Sequence, residues 1–255
     1  MVFKRLFKSA QVAPSAEPTV PAGQRIYAIG DVHGCLTLLE QLLEQIDADH
    51  LSRSPAEKHL IFLGDLMDRG PDSRGVVERV MQLCTASPHN RCIAGNHEEL
   101  FIRAFEADTK ITPTFHRAGG RETMLSYGMG EAVYDDSDSQ QLAELVCHYV
   151  PKAHIDFLSG LADWVQAGDY LFVHAGIRPG RPLADQKQSD MRWIREEFTK
   201  SEQDHGMIVI HGHSITEFVD DQPNRIGIDT GAFATGKLTA IALEGAERWF
   251  LDTSG

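Results

Sequence analysis

The chain has 255 residues, 37 acidic against 24 basic, and a formal charge of -13. That length suits one α/β catalytic domain with a sizeable core, and the charge works against binding to nucleic acid or to an anionic membrane surface. Cys35, Cys84, Cys92 and Cys147 form no CxxC pair, which excludes a disulfide framework and a thiolate zinc site and predicts reduced, mostly buried thiols in a cytoplasmic protein.

Residues 1–22 show no helical or strand periodicity and are expected to form a disordered tail, with Phe3, Leu6 and Phe7 at a frayed terminus. No apolar run there is long enough for a signal peptide, and none elsewhere approaches a transmembrane helix, so a soluble chain is expected. Residues 23–255 are expected to form a single catalytic domain.

Arg25-Ile26-Tyr27-Ala28-Ile29 is a β-rich run closed by Gly30, and Leu36, Leu39, Leu43 and Ile46 then recur at helical spacing. Leu60-Ile61-Phe62-Leu63 ends at Gly64 and precedes a helix carrying Val76, Val77, Val80 and Leu83. Arg91-Cys92-Ile93-Ala94 ends at Gly95 and precedes helical 98–105. Three strand–loop–helix units in succession imply a largely parallel sheet, whose ligands sit at the carboxyl ends of the strands. Residues 110–168 read as a helical, loop-rich region capping that edge. The sheet is then expected to resume with Tyr170–Val173, ending at His174, and Met207–Ile210, ending at His211-Gly212-His213. Residues 225–228, 237–243 and 247–251 read as closing strands of an antiparallel flank.

The strand ends carry the chemistry. Gly30-Asp31-Val32-His33-Gly34, Gly64-Asp65-Leu66-Met67-Asp68-Arg69-Gly70 and Gly95-Asn96-His97-Glu98 follow one another at regular intervals. Any one of Asp31, Asp65 or Asn96 reads as a helix N-cap after a strand; the ordered set does not. Carboxylates, an amide and imidazoles without thiolate suit Mn, Fe or Zn, with Mn the first expectation. If Asp31, His33, Asp65, Asn96, His174 and His213 converge, six residues can hold two divalent ions by sharing one carboxylate, and Asp65 on the middle motif is the expected bridge. Two such ions clamp phosphoryl oxygens and make a water acidic enough to attack near neutral pH. An Asp68–His97 hydrogen bond would favour protonated His97, which could protonate the leaving oxygen. Arg69 offers a bidentate fork for phosphate, and Arg195 is a second clamp candidate.

GDVHG, GDLMDRG, GNHE, the later VHAG and the GH of His211-Gly212-His213 occur in one order over residues 25–232, and together they resemble the calcineurin-like metallophosphoesterases of the phosphoprotein-phosphatase type, in the compact form of bacterial and phage members. The resemblance implies an αββα sandwich with mixed sheets and a dinuclear centre. Asp31 and His33 would sit on one metal, Asn96, His174 and His213 on the other, with Asp65 between them, Arg69 on phosphate and His97–Asp68 as the acid pair. Arg195 rests on a looser motif match. His211, two residues before His213 on a strand, is expected to share a face with it but is left outside the ligand set, because the family pattern needs only His213. His116, His148, His154 and His205 read as solvated or core residues, Arg117 and Arg121 as solvated loop residues, and Glu98 and Glu99 as first-turn acids suited to a helix dipole.

Two substrates follow from the resemblance: phosphoserine or phosphothreonine in a protein, and diadenosine tetraphosphate cleaved symmetrically. Tetraphosphate hydrolases of the family usually carry Ala-Arg-Gly and Asn-His-Asp where this chain has Asp68-Arg69-Gly70 and Asn96-His97-Glu98. The expectation is therefore a serine/threonine protein phosphatase, with a phosphorylated protein or small phosphoester as partner.

Overall fold

The computed structural model describes residues 17–254. The first half runs β1 (Gln24–Ile29), α1 (Leu36–Ser52), β2 (Glu57–Phe62), α2 (Ser73–Ala86), β3 (Asn90–Cys92) and α3 (Asn96–Phe105), then the short helices α4 (Thr112–Phe115), α5 (Arg121–Ser126), α6 (Glu131–Asp135), α7 (Ser139–Tyr149) and α8 (Lys152–Ser159). The second half runs β4 (Trp164–Ala167), β5 (Tyr170–Val173), α9 (Gln188–Trp193), α10 (Glu196–Thr199), β6 (Ile208–His211), β7 (Asp220–Gln222), β8 (Arg225–Gly227), α11 (Ala232–Thr235), β9 (Thr239–Glu244) and β10 (Glu247–Asp252).

These strands build two five-stranded sheets, ordered β10-β9-β1-β2-β3 and β4-β5-β6-β8-β7. β1, β2 and β3 are parallel, with β9 and β10 the expected antiparallel flank. β5, β6 and β8 are likewise parallel, with β4 and β7 antiparallel at the edges. Successive residues explain the layering. Along β1, Tyr27 and Ile29 pack beneath the helices while Ile26 and Ala28 face the second sheet. Along β5, Tyr170 and Phe172 meet them in that middle layer, and Leu171 and Val173 turn outward onto Met191, Ile194 and Phe198 around α9 and α10. Strands buried on both faces read as unbroken apolar runs, and the result is an αββα sandwich.

Four expectations change. Tyr170–Val173 and Ile208–Ile210 open a second sheet and do not resume the first, because an apolar run does not reveal its partner strand. For the same reason Arg225–Gly227 is a parallel neighbour of β6 and not part of the antiparallel flank. Residues 17–22 lie against the body instead of joining a tail: Val20 is buried in the middle layer, its N–H donates to the Gly245 carbonyl at 3.0 Å, and the Thr19 N–H donates to the Asp169 carboxylate. Phe3, Leu6 and Phe7 lie outside the described residues. Within 110–168 the helices pack beside α3 through Phe115, Met124, Val146 and Leu158, whereas β4 belongs to the second sheet. Cys35 and Cys92 are buried, Cys84 half-buried and Cys147 exposed, all four free. Among the described residues, no helix is long and apolar enough to cross a membrane.

Candidate active site

The loops after β1, β2, β3, β5 and β6 meet at one edge of the sandwich. They are held in tight turns: of the six described non-glycine residues with positive φ, five are His33 (46°), Asp65 (49°), Asp68 (69°), Arg69 (69°) and His213 (62°). Each such residue costs about 1 kcal/mol or more, and such strain concentrates where side-chain placement matters. Neighbouring loops impose it. The N–H groups of Val32 and His33 donate to the Asp65 carbonyl, and that of Gly34 donates to the Leu66 carbonyl. Beneath them, Glu98 is fully buried and its carboxylate accepts from the N–H groups of Asp65 (2.9 Å), Leu66 (2.8 Å) and Gly95 (2.7 Å).

Asp65 stands between two groups of donors. Its Oδ2 lies 3.6 Å from His33 Nε2, and its Oδ1 lies 3.4 Å from His174 Nε2. His174 Nε2 is in turn 3.0 Å from Asn96 Oδ1 and 3.2 Å from His213 Nδ1. Asp31 reaches the same place from β1, where its Oδ2 accepts the His213 N–H at 3.0 Å. A Cβ on Gly212 would run into that carboxylate, so only glycine lets the loop after β6 approach. The six expected residues therefore converge, and Asp65 is the carboxylate common to both groups.

The donor set fits divalent cations. Two donors at right angles, each about 2.1 Å from one ion, lie about 3 Å apart, close to the spacings around His174. His33 Nδ1–H donates to the Met67 carbonyl and His174 Nδ1–H to the Leu63 carbonyl, both at 2.8 Å, which leaves each Nε2 lone pair aimed inward. Burial pushes His33 down to about 3 and His213 down to about 2, so both are neutral ligands in waiting. Asp31 is pushed well above the carboxylate range by burial and by the neighbouring charges of Asp229 and Asp65. Its Oδ1 is buried without a hydrogen-bond partner among the described residues. A buried oxygen without a donor, in a site crowded with carboxylates, is what a cation satisfies.

Beside this lies a second constellation. His97 Nδ1–H donates to Asp68 Oδ2 at 2.6 Å. Asp68 is fixed in turn by the Thr123 hydroxyl on its other oxygen (2.6 Å) and by Ser73 Oγ, which accepts its backbone N–H. Burial opposes charging His97, but Asp65 and the hydrogen-bonded Asp68 outweigh it and raise its pKa to about 9. Arg69 Nη2 lies 3.3 Å from His97 Nε2. The Arg69 guanidinium sits over the Phe233 ring, 4.6 Å from its centroid, and that ring stands edge-on to His33 at 5.4 Å. The Arg69 N–H donates to the Gly119 carbonyl, where a Cβ would strike the Arg69 backbone, so the region 110–168 touches the site through Gly119 and Thr123.

Arg195 is exposed at the rim, its Nη1 3.5 Å from the His213 carbonyl. His211 does not share a face with His213, because β6 ends at His211 and the left-handed turn at His213 swings that side chain away. His211 packs edge-on against Phe198 at 5.1 Å with Arg225 on its Nε2 side. Arg121 pairs with Asp135 and Glu131 on the surface, and His154 is buried between Tyr127 and Glu78. Sequence reasoning read Glu98 as a first-turn acid and missed its reach to the N–H groups of Asp65 and Leu66. It also missed Asp229, Ser73, Thr123 and Phe233, which no spacing marks.

The chain matches the calcineurin-like phosphoesterase family over residues 24–238. It belongs to that family. Among its relatives, serine/threonine-protein phosphatase 2 of Salmonella typhimurium is 28% identical over 233 residues, covering 87% of this chain and 94% of the relative. The asymmetrical bis(5'-nucleosyl)-tetraphosphatase PrpE of Bacillus thuringiensis is 26% identical over 230 residues, covering 84% and 88%. The crystal structure of a provisionally assigned diadenosine tetraphosphatase superposes with a TM-score of 0.62 at 22% identity, over 94% of this chain and all of the other, and so shares the fold. The protein is thus a metal-dependent phosphoesterase, and its buried histidine and aspartate groups around Asp65 are candidates to hold the metal.

Proposed function

We propose that this calcineurin-like phosphoesterase hydrolyses phosphomonoesters on serine or threonine of proteins, with a pair of divalent ions, Mn first, held by Asp31, His33, Asp65, Asn96, His174 and His213. When bound, such ions supply Lewis acidity and a water ionised near neutral pH. The chain's own residues do the rest. Arg69, steadied on Phe233, binds the phosphate oxygens through its fork. His97 holds a proton on Nε2 beside the Asp65 carboxylate and gives it to the leaving oxygen, while Asp68 keeps Nδ1–H in place. Arg195 meets the substrate at the rim.

The observation that carries this reading is the His97–Asp68 pair at 2.6 Å with Arg69 beside it, next to donors grouped around Asp65. A protonated imidazole suits an alkoxide leaving group such as serine or threonine, which needs a proton more than a nucleotide phosphate does. The second reading is hydrolysis of a dinucleoside tetraphosphate. It is favoured by relatives of that name at comparable identity and by Phe233, a partly open aromatic ring at the site that a base could stack on. The deciding experiment compares phosphoserine, phosphothreonine and phosphotyrosine peptides with diadenosine tetraphosphate on Mn-reconstituted protein. Higher kcat/KM on the phosphoserine and phosphothreonine peptides is expected; preference for the dinucleotide would replace the first reading with the second.

A further inference from the structure

At the opposite end of the same strands, three further side chains gather. Glu57 and His59 are two apart on β2 and so share one face of the sheet. The register Leu60↔Asn90 sets His89 beside His59 on the neighbouring strand path. The imidazole rings stand 4.9 Å apart, and the Glu57 carboxylate spans both, Oε2 lying 2.7 Å from His59 Nε2 and Oε1 3.4 Å from His89 Nε2. One donor atom from each of the three lies within 4.8 Å of the others. Lys58 points to the other face and pairs with Asp47, and among the described residues no lysine or arginine forms an ion pair with Glu57. Three residues of strand, about 10 Å, separate His59 from the end of β2 at Phe62, and the Asp65 loop lies beyond that end, so this cluster is separate from the candidate active site.

We propose that Glu57, His59 and His89 form a peripheral site for a divalent transition ion of the zinc class. Two imidazoles and one carboxylate with solvent on the open side are a three-ligand set that leaves outward positions for water. The higher imidazole share favours Zn, Ni or Cu over Mn, unlike the carboxylate- and amide-containing set around Asp65. Only the pairing of β2 with β3 brings the three together, so the ion binds the folded chain alone and ties the edge strand β3, whose far end leads into Asn96 and His97, to β2.

The test is zinc uptake by the full chain with zinc added in excess over all the proposed sites, read by metal analysis after dialysis, in the wild type and in H59Q/H89Q. One equivalent fewer in the double variant is expected, with a smaller rise of Tm on zinc addition and unchanged hydrolysis of a phosphoester by the Mn-loaded enzyme. Equal uptake by both proteins would overturn the site. Should the double variant fail to fold, the same question is put to D65N, whose dinuclear centre is not expected to load. Imidazole nitrogen resonances of His59 and His89 that shift on zinc addition support the site, and resonances that stay put overturn it. Neither readout depends on hydrolysis, so loss of this site and loss of the proposed function are separate outcomes.

Discussion

Burial alone would leave His97 neutral, and it is the negative charges of Asp65 and the hydrogen-bonded Asp68 that keep it protonated, raising its pKa to about 9. Cations on Asp65 neutralise part of that pull, so the alkaline limb of kcat/KM should lie below 9. D68N removes the hydrogen-bonded charge and should move the limb to lower pH, while H97Q should lower kcat by about 10²-fold or more and leave metal content near normal. A limb unmoved in D68N, or an H97Q protein purified without metal, would assign the proton elsewhere. The folded-state pKa lies above the ordinary value of about 6.5, so the stability that His97 contributes is complete below that pH and is lost as pH rises through about 9. Arg69 makes a parallel case. R69K keeps the charge but loses the fork and the flat stack on Phe233, and KM for a phosphopeptide should rise about tenfold or more; unchanged KM would exclude a bidentate contact. These residues were legible because each lies within a short motif at a strand end. Phe233 was not, since it reaches Arg69 from α11, far along the chain and without a motif of its own.

At the scale of elements, the loops after β2 and β3 are joined by Glu98, one carboxylate accepting three backbone N–H groups. Taken as a first-turn acid, it explained only the start of α3. Its reach to Asp65 and Leu66 depends on β2 and β3 being neighbours, which no local pattern states. E98Q replaces one accepting oxygen with an NH2 group facing backbone donors, so it should destabilise the protein by about 1–3 kcal/mol and loosen Asp65. Thermal denaturation and metal analysis would both register the change, and a variant matching the wild type in both would reduce Glu98 to a helix cap. The first three strand ends were legible, because a glycine closes each of those apolar runs. The orientation of the last ligand was not: alternation along β6 places His211 and His213 on one face, and the turn at His213 breaks that alternation.

Across the whole molecule, the candidate centre straddles two sheets. Asp31, His33 and Asp65 come from loops of the first and Asn96 from the start of α3 behind it, and His174 and His213 come from the second. Periodicity predicted one parallel sheet continued by later strands; only the order of the motifs implied a sandwich, because apolar runs buried on both faces look alike in either sheet. The direct links across this edge include His174 Nδ1–H to the Leu63 carbonyl and the His213 N–H to Asp31. Divalent ions shared by both sets of ligands would add a clamp between the sheets and neutralise Asp31, Asp65 and neighbouring Asp229, whose charges oppose one another in a buried space. Removing them should therefore cost more than activity. A chelator is expected to lower the Tm of the Mn-loaded protein by several degrees, and Mn should restore it. D65N, lacking the shared carboxylate, should melt at the same temperature with or without chelator. Running the comparison in H59Q/H89Q isolates the centre from the peripheral cluster on β2. A chelator-insensitive Tm in that variant, together with full metal release, would show that the two sheets hold this edge without ions and that Asp65 bridges nothing.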